Sequence, residues 1–216
     1  MTFIKFLFII TIMMVNLSEI FGHGMLMDPV NRGSAWRKGF NTPVNYNDNG
    51  NYCGGYTAHF ITNKGKCGVC GDNYSNKQPR SNENGGRYGT GTIVKSYQEG
   101  QQFDVIVNLS VNHRGYFEFA LCPLKGKNDI ETEECFAKYP LKLASGKEAY
   151  NLTSGRSGYY KIKLQLPKGL TCEQCSLRWN YKTGNAWGTC GDGKGATGCG
   201  NQETFRTCSD ISIVPK

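Results

Sequence analysis

Tyr159-Tyr160-Lys161-Ile162-Lys163-Leu164-Gln165-Leu166 decides the fold class of this 216-residue chain. Ile162, Leu164 and Leu166 alternate with Lys161, Lys163 and Gln165, the period of two that gives a strand one apolar and one polar face. Runs rich in β-branched and aromatic residues recur at 90–97, 103–111, 116–121, 177–181 and 205–214, bounded by Gly, Pro and Asn. Short strands punctuated in this way predict an antiparallel β-sandwich. A short helical segment is expected at 131–139.

Ahead of these strands, residues 29–88 are rich in Gly, Asn, Pro and Asp and carry no sustained helical period beyond a short turn near 56–63. An irregular stretch of that length in a compact domain needs tying down and is usually functional. Cys53, Cys67 and Cys70 can supply the ties. In all, ten cysteines lie beyond residue 50, an even number that reads as up to five disulfides whose pairing the spacing does not fix. The pairs Cys67/Cys70 and Cys172/Cys175 are too far apart in sequence for a zinc ribbon. Beyond residue 22, sequons begin at Asn73, Asn108 and Asn151, the second of them inside an expected strand.

The formal net charge of +8 is spread thinly, with no Lys/Arg block, so a soluble basic surface is the reading and nucleic-acid binding is not. Lys5 followed by the apolar run 6–15 has the form of a secretion signal, with Gly22 small enough to precede the cut. No later stretch is apolar and long enough to span a membrane. The expectation is a 1–22 signal peptide and a single secreted domain, 23–216, released outside the cell.

Cleavage after Gly22 gives His23 a free α-amino group beside its imidazole, which is a metal chelate. His113, in the turn Val111-Asn112-His113-Arg114-Gly115, is the natural partner, whereas His59 between Ala58 and Phe60 reads as a packed or surface residue rather than a ligand. One amino and two imidazole nitrogens suit copper by ligand type and by the divalent affinity order. The amino proton, with an ordinary pKa of about 8, is displaced by a bound metal at neutral pH.

His23-Gly24, then Ser34-Ala35-Trp36-Arg37, Asn45-Tyr46-Asn47-Asp48, Tyr52-Cys53-Gly54-Gly55 and Lys66-Cys67-Gly68-Val69-Cys70-Gly71-Asp72 resemble the lytic polysaccharide monooxygenases of auxiliary activity family fifteen. Asn112-His113-Arg114-Gly115-Tyr116-Phe117, Gln202-Glu203-Thr204-Phe205-Arg206 and Cys208-Ser209-Asp210-Ile211 extend the resemblance over essentially all of 23–216. It implies an all-β, immunoglobulin/fibronectin III-like sandwich with long disulfide-tied loops and short helical segments. It also implies one copper ion held by the amino group and a ring nitrogen of His23 and by a ring nitrogen of His113. Phe205 falls at the family's axial aromatic position and Glu203 beside the metal, where it would position the oxidant. Val111 departs from the small residue expected two positions before the second histidine.

The implied activity is oxidative cleavage of an insoluble polysaccharide, chitin favoured over cellulose, at C1 or C4 of a sugar. An external reductant and hydrogen peroxide or dioxygen would serve as co-substrates, with the protein acting as a monomer. Tyr46 is the candidate for stacking on the substrate. Two other readings differ in class. A non-catalytic chitin-binding protein would lack a brace histidine, and a glycoside hydrolase would need two opposed carboxylates, for which Asp104, Glu118 and Asp210 are available.

Overall fold

The computed structural model describes residues 23–126 and 128–216, so the expected signal peptide lies outside the described residues. The elements in chain order are β1 (His23–Asp28), a 3-10 helix (Arg32–Lys38), a π-helical turn (Thr57–Thr62), β2 (Lys95–Gln98), β3 (Gln102–Val111) and β4 (Tyr116–Leu124). There follow α1 (Glu133–Lys138), β5 (Pro140–Leu143), β6 (Tyr150–Asn151), β7 (Gly158–Gln165), β8 (Cys172–Lys182), β9 (Trp187–Thr189), β10 (Gly195–Thr197) and β11 (Thr204–Val214).

The strands form two facing layers, β1-β3-β7 and β4-β8-β11-β2, which β5 joins by pairing with both β7 and β4. Their inner faces close over one core. Leu26, Val105, Val107, Leu109, Ile162 and Leu164 come from the first layer, and Phe117, Phe119, Leu177, Trp179, Tyr181 and Phe205 from the second. In β7 the alternation holds as read, since Ile162 and Leu164 are buried while Lys161 and Lys163 are exposed. The sandwich is therefore all-β as expected, but it is not wholly antiparallel, because β2 runs parallel to β11.

Three local expectations change. The run at 90–97 is strand only from Lys95, where its pairing with Ile211 of β11 begins, and Gly91 earlier in it takes a left-handed conformation (φ 73°). The early loop holds a 3-10 helix, capped by Asn31 Oδ1 accepting from the Ser34 amide and closed by Gly39 at φ 83°. The first strand was hidden by its composition, His-Gly-Met-Leu-Met-Asp, in which only Gly24 and Leu26 are buried.

The disulfides are Cys53–Cys67, Cys70–Cys208, Cys122–Cys135, Cys172–Cys175 and Cys190–Cys199. Cys70–Cys208 pins the early loop to β11, and Cys122–Cys135 pins α1 to β4. A buried cation does the same work without a covalent bond. Arg32 Nε and Nη2 donate to the two carboxylate oxygens of Asp210 at 2.8 and 2.6 Å, Nη2 also meets Glu131 at 2.6 Å, and Nη1 donates to Asn82 O at 2.9 Å. Burial alone would lower the Arg32 pKa, but Asp210 and Glu131 outweigh it and hold the guanidinium charged.

Removing a partner from such a group leaves uncompensated buried charge, at a cost of roughly 3–5 kcal/mol. Arg32→Met should therefore lower the stability of the 23–216 protein by about that amount, read from the midpoint of chemical unfolding at neutral pH. A change below roughly 1 kcal/mol would show that the cluster is not a structural anchor.

Candidate metal centre

β1 lies against β3 with His23 opposite Val111, so the residue that would begin the mature chain sits two positions from His113. Gly24 makes that approach feasible. A Cβ there would meet Leu109 Cδ2 at 2.5 Å and Trp179 Cη2 at 2.9 Å, so any larger residue would push β1 off the core. The carbonyl of His23 accepts from Ser110 Oγ at 3.2 Å, and the residue itself is partly exposed.

His113 stands on a turn held from several directions. Asn112 Oδ1 accepts from the Arg114 amide, while Asn112 Nδ2 donates to Arg156 O at 2.7 Å and Tyr160 Oη at 2.8 Å. Arg114 and Gly115 both adopt positive φ, and a Cβ on Gly115 would collide with Lys182 O, so only glycine suits that position. The His113 amide donates to Tyr181 Oη at 2.9 Å, and its carbonyl accepts from the Gly184 amide at 2.9 Å. Burial, the largest influence, holds the Tyr181 phenol well above its ordinary pKa, so it stays protonated.

Around this turn the fold gathers three of the other predicted residues. Glu203 Oε2 lies 3.7 Å from His113 Nδ1, too far for a hydrogen bond but close enough to share one small molecule. Phe205 is fully buried and stacks with Tyr181 at 5.8 Å between ring centroids, with the Tyr52 ring tilted against it at 6.0 Å. Val111 is the register partner of His23 itself. Tyr46 contacts none of these: it is 85% exposed and meets Trp36 edge-on at 5.5 Å on the early loop.

The imidazoles divide cleanly by environment. His59 is buried, with Nε2 bonded to Gly65 O at 2.9 Å, and burial lowers its pKa, as suits a packed residue. The buried Nδ1 of His113, by contrast, has no hydrogen-bond partner. Among the described residues no three His, Cys, Asp or Glu side chains converge, so a site at His23 and His113 needs a third donor of another kind. The amino group of a chain beginning at His23 is such a donor, and a three-nitrogen set fits copper.

The carboxylates considered for hydrolysis have structural partners instead. Asp210 holds Arg32, Asp104 pairs with Lys161 at 3.0 Å, and Glu118 accepts from Asn180 at 3.0 Å. No opposed pair emerges from them.

Sequence reading missed two residues here. Tyr181 gave no signal, because its value lies in a hydroxyl at the end of an otherwise apolar strand face. Trp187 is 73% exposed at the start of the β9-β10 hairpin, three residues after the Gly184 amide that binds His113. Cys190–Cys199 closes that hairpin, and Gln202 bonds both the amide and the carbonyl of Ala186 at 3.0 Å. An isolated Trp between Gly-rich turns and a close Cys pair was the available clue.

A family model described as lytic polysaccharide mono-oxygenase, cellulose-degrading, matches residues 23–211. The structure is similar to the lytic polysaccharide monooxygenase AA15 from Thermobia domestica in the Cu(I) state. The two are 45% identical over 88% of this chain and 98% of that one, with a TM-score of 0.87. No match was found among curated proteins. With the fold, the matched length and the identity in agreement, the chain belongs to the lytic polysaccharide monooxygenases, copper-dependent enzymes, and within them to the AA15 group.

Proposed function

We propose that the chain is exported, cut after Gly22, and acts outside the cell as a single 23–216 domain on crystalline chitin in preference to cellulose. The observation that carries this reading is the register of β1, which sets His23 opposite Val111 and hence beside His113. The amino group and a ring nitrogen of His23, with a ring nitrogen of His113, would hold one copper ion. Copper bound there would supply one-electron redox chemistry for the oxidation of a sugar C1 or C4, with an external reductant and hydrogen peroxide or dioxygen as co-substrates.

The protein's own groups fix where that happens. Tyr181 and Gly184 hold the His113 backbone on both sides, so the imidazole is preorganised rather than recruited. Phe205 has no ligating atom and packs against Tyr181, which keeps a further donor and water from that side. Glu203, 3.7 Å from the His113 ring, accepts a hydrogen bond from hydrogen peroxide and orients it. Val111, across from His23, narrows the approach with its methyl groups.

The exposed ring of Trp187, on a hairpin clamped next to His113, presents an apolar plane to the face of a sugar, with Tyr46 a second contact on the early loop. The family model's description names cellulose; the preference for chitin is what the sequence resemblance to auxiliary activity family fifteen implies. We propose a monomer with neither nucleic-acid nor membrane partners. No helix among the described residues is long and apolar enough to cross a membrane.

Copper-loaded protein beginning at His23, incubated with ascorbate and either chitin or cellulose, should release aldonic acid or ketoaldose oligosaccharides detectable by mass spectrometry. Those products should vanish when copper or ascorbate is withheld, and chitin should yield more than cellulose. Unmodified oligosaccharides, or oxidised products from cellulose alone, would contradict the reading.

His113→Ala should weaken copper binding by at least about 100-fold in calorimetry, since loss of one ligand outweighs the 10–100-fold typical of supporting residues. Trp187→Ala should instead leave copper affinity unchanged and reduce adsorption to chitin several-fold. Unaltered adsorption would remove Trp187 from the binding surface.

A further inference from the structure

Three Asn-X-Ser/Thr sequons survive in the mature sequence, and the fold treats them differently. Asn73 Oδ1 accepts from Asn63 Nδ2 at 2.8 Å and from the Ser75 amide at 3.0 Å. Its Nδ2 is pressed against Gly54, where even a Cβ would come within 2.8 Å. An oligosaccharide on that nitrogen would have to break the cluster. Asn108 is half-buried in β3, between Met25 on β1 and Tyr159 on β7, and the hydroxyl of its sequon, Ser110, is engaged with His23 O.

Asn151 has neither constraint. It is exposed at the end of β6, with its sequon threonine, Thr153, exposed as well. Its neighbours fix its direction. Tyr150 stacks on Phe117 in the core and Leu152 is buried, so the side chain between them points outward.

A cavity of about 410 Å³ opens on that same outer face, between α1, β5 and the middle of β4 and β8. This is within the roughly 300–1,000 Å³ of small-molecule sites. Asn151 pairs with Tyr116, and the cavity begins at Glu118, two residues along β4 or about 7 Å away. The gap has a structural origin, since β6 pairs with β4 at 116–117 and β5 pairs at 119–120, leaving Glu118 between them.

The lining has the mixed chemistry of a sugar site. Ala120, Phe136 and Pro140 offer apolar surface, while Glu118, Arg178 and Asn180 offer hydrogen bonds. The Arg178 guanidinium lies over the Phe136 ring at 4.1 Å and donates to Glu133, yet its buried Nε–H has no acceptor. A groove of this chemistry beside an acceptor asparagine suits one occupant above others.

We propose that Asn151 carries an N-linked glycan whose first N-acetylglucosamine residues lie in this cavity, while Asn73 stays unmodified. Such a glycan covers the outer face of the second layer at the end of the sandwich that holds His113. The reason is the 152–156 segment, which bonds Gly115 and Asn112. The inference rests on export through a glycosylating pathway, as the proposed function requires.

The test secretes the full-length chain from insect cells. The released protein's amino terminus is sequenced, and its sequons are mapped after peptide N-glycosidase digestion in ¹⁸O water, which labels each formerly glycosylated asparagine as aspartate. A start at His23 with label at Asn151 and none at Asn73 is the expected result. Hydrogen exchange at 133–143 should then be slower in the glycosylated protein than after enzymatic glycan removal.

Label at Asn73, or none at Asn151, in protein that begins at His23 overturns the assignment while leaving export intact. Label at Asn151 with unchanged exchange at 133–143 overturns the docking. A chain retained in the cell with residues 1–22 attached fails the export reading, and the glycan falls with it. Asn151→Gln, which should give the unlabelled protein and the faster exchange, separates the effect of the glycan from that of the deglycosylating enzyme.

Discussion

The ladder between β1 and β3 is the constraint on which the active face depends. A metal site that uses the first residue of a mature chain has to immobilise a terminus, and termini are ordinarily the loosest part of a fold. In a chain beginning at His23 the terminus would be the edge of a sheet, opposite Val111, with Gly24 letting the backbone settle onto Leu109 and Trp179. His113 is fixed independently from the other layer, through the Tyr181 hydroxyl and the Gly184 amide. The geometry between the two histidines is thus set by how the layers pack, so core residues such as Trp179 and Phe205 are part of the site's precision as well as of its stability.

The long irregular segment between β1 and β2 would be costly to order if it depended on apolar burial alone. It is held instead by a few strong, specific ties: Arg32 between Asp210 and Glu131, Arg80 with Glu83, and the bridges Cys53–Cys67 and Cys70–Cys208. Two of these ties, to Asp210 and Cys208, end on β11, the strand that also carries Phe205 and follows Glu203. The loop and the face that carries the candidate site consequently share one foundation. A lesion in the Arg32 cluster should be felt first as loosening of the loop that presents Tyr46.

Much of this architecture was legible in the sequence, and the parts that were not have identifiable causes. β3, β4, β7 and β11 announced themselves because each has a long apolar face that must be buried. β1 did not, since its one large buried residue is Leu26 and its pairing is determined by β3 rather than by its own propensity. The parallel docking of β2 and the pairing of the cysteines are long-range facts that no local pattern encodes. In the candidate site, the histidines could be proposed from their chemistry and position. Tyr181 and Trp187 were not, because one acts through a backbone amide and the other through exposure that only the folded hairpin creates.

The central claim is that three nitrogens, one of them the amino group of His23, hold the copper. Pulsed electron paramagnetic resonance of the Cu(II)-loaded protein tests it most directly, comparing protein that begins at His23 with the same chain extended by one residue. The account predicts coupling to three directly bound nitrogens in the first sample and loss of the amino-nitrogen coupling in the second. Identical spectra from the two, or coupling to imidazole nitrogens alone, would contradict it.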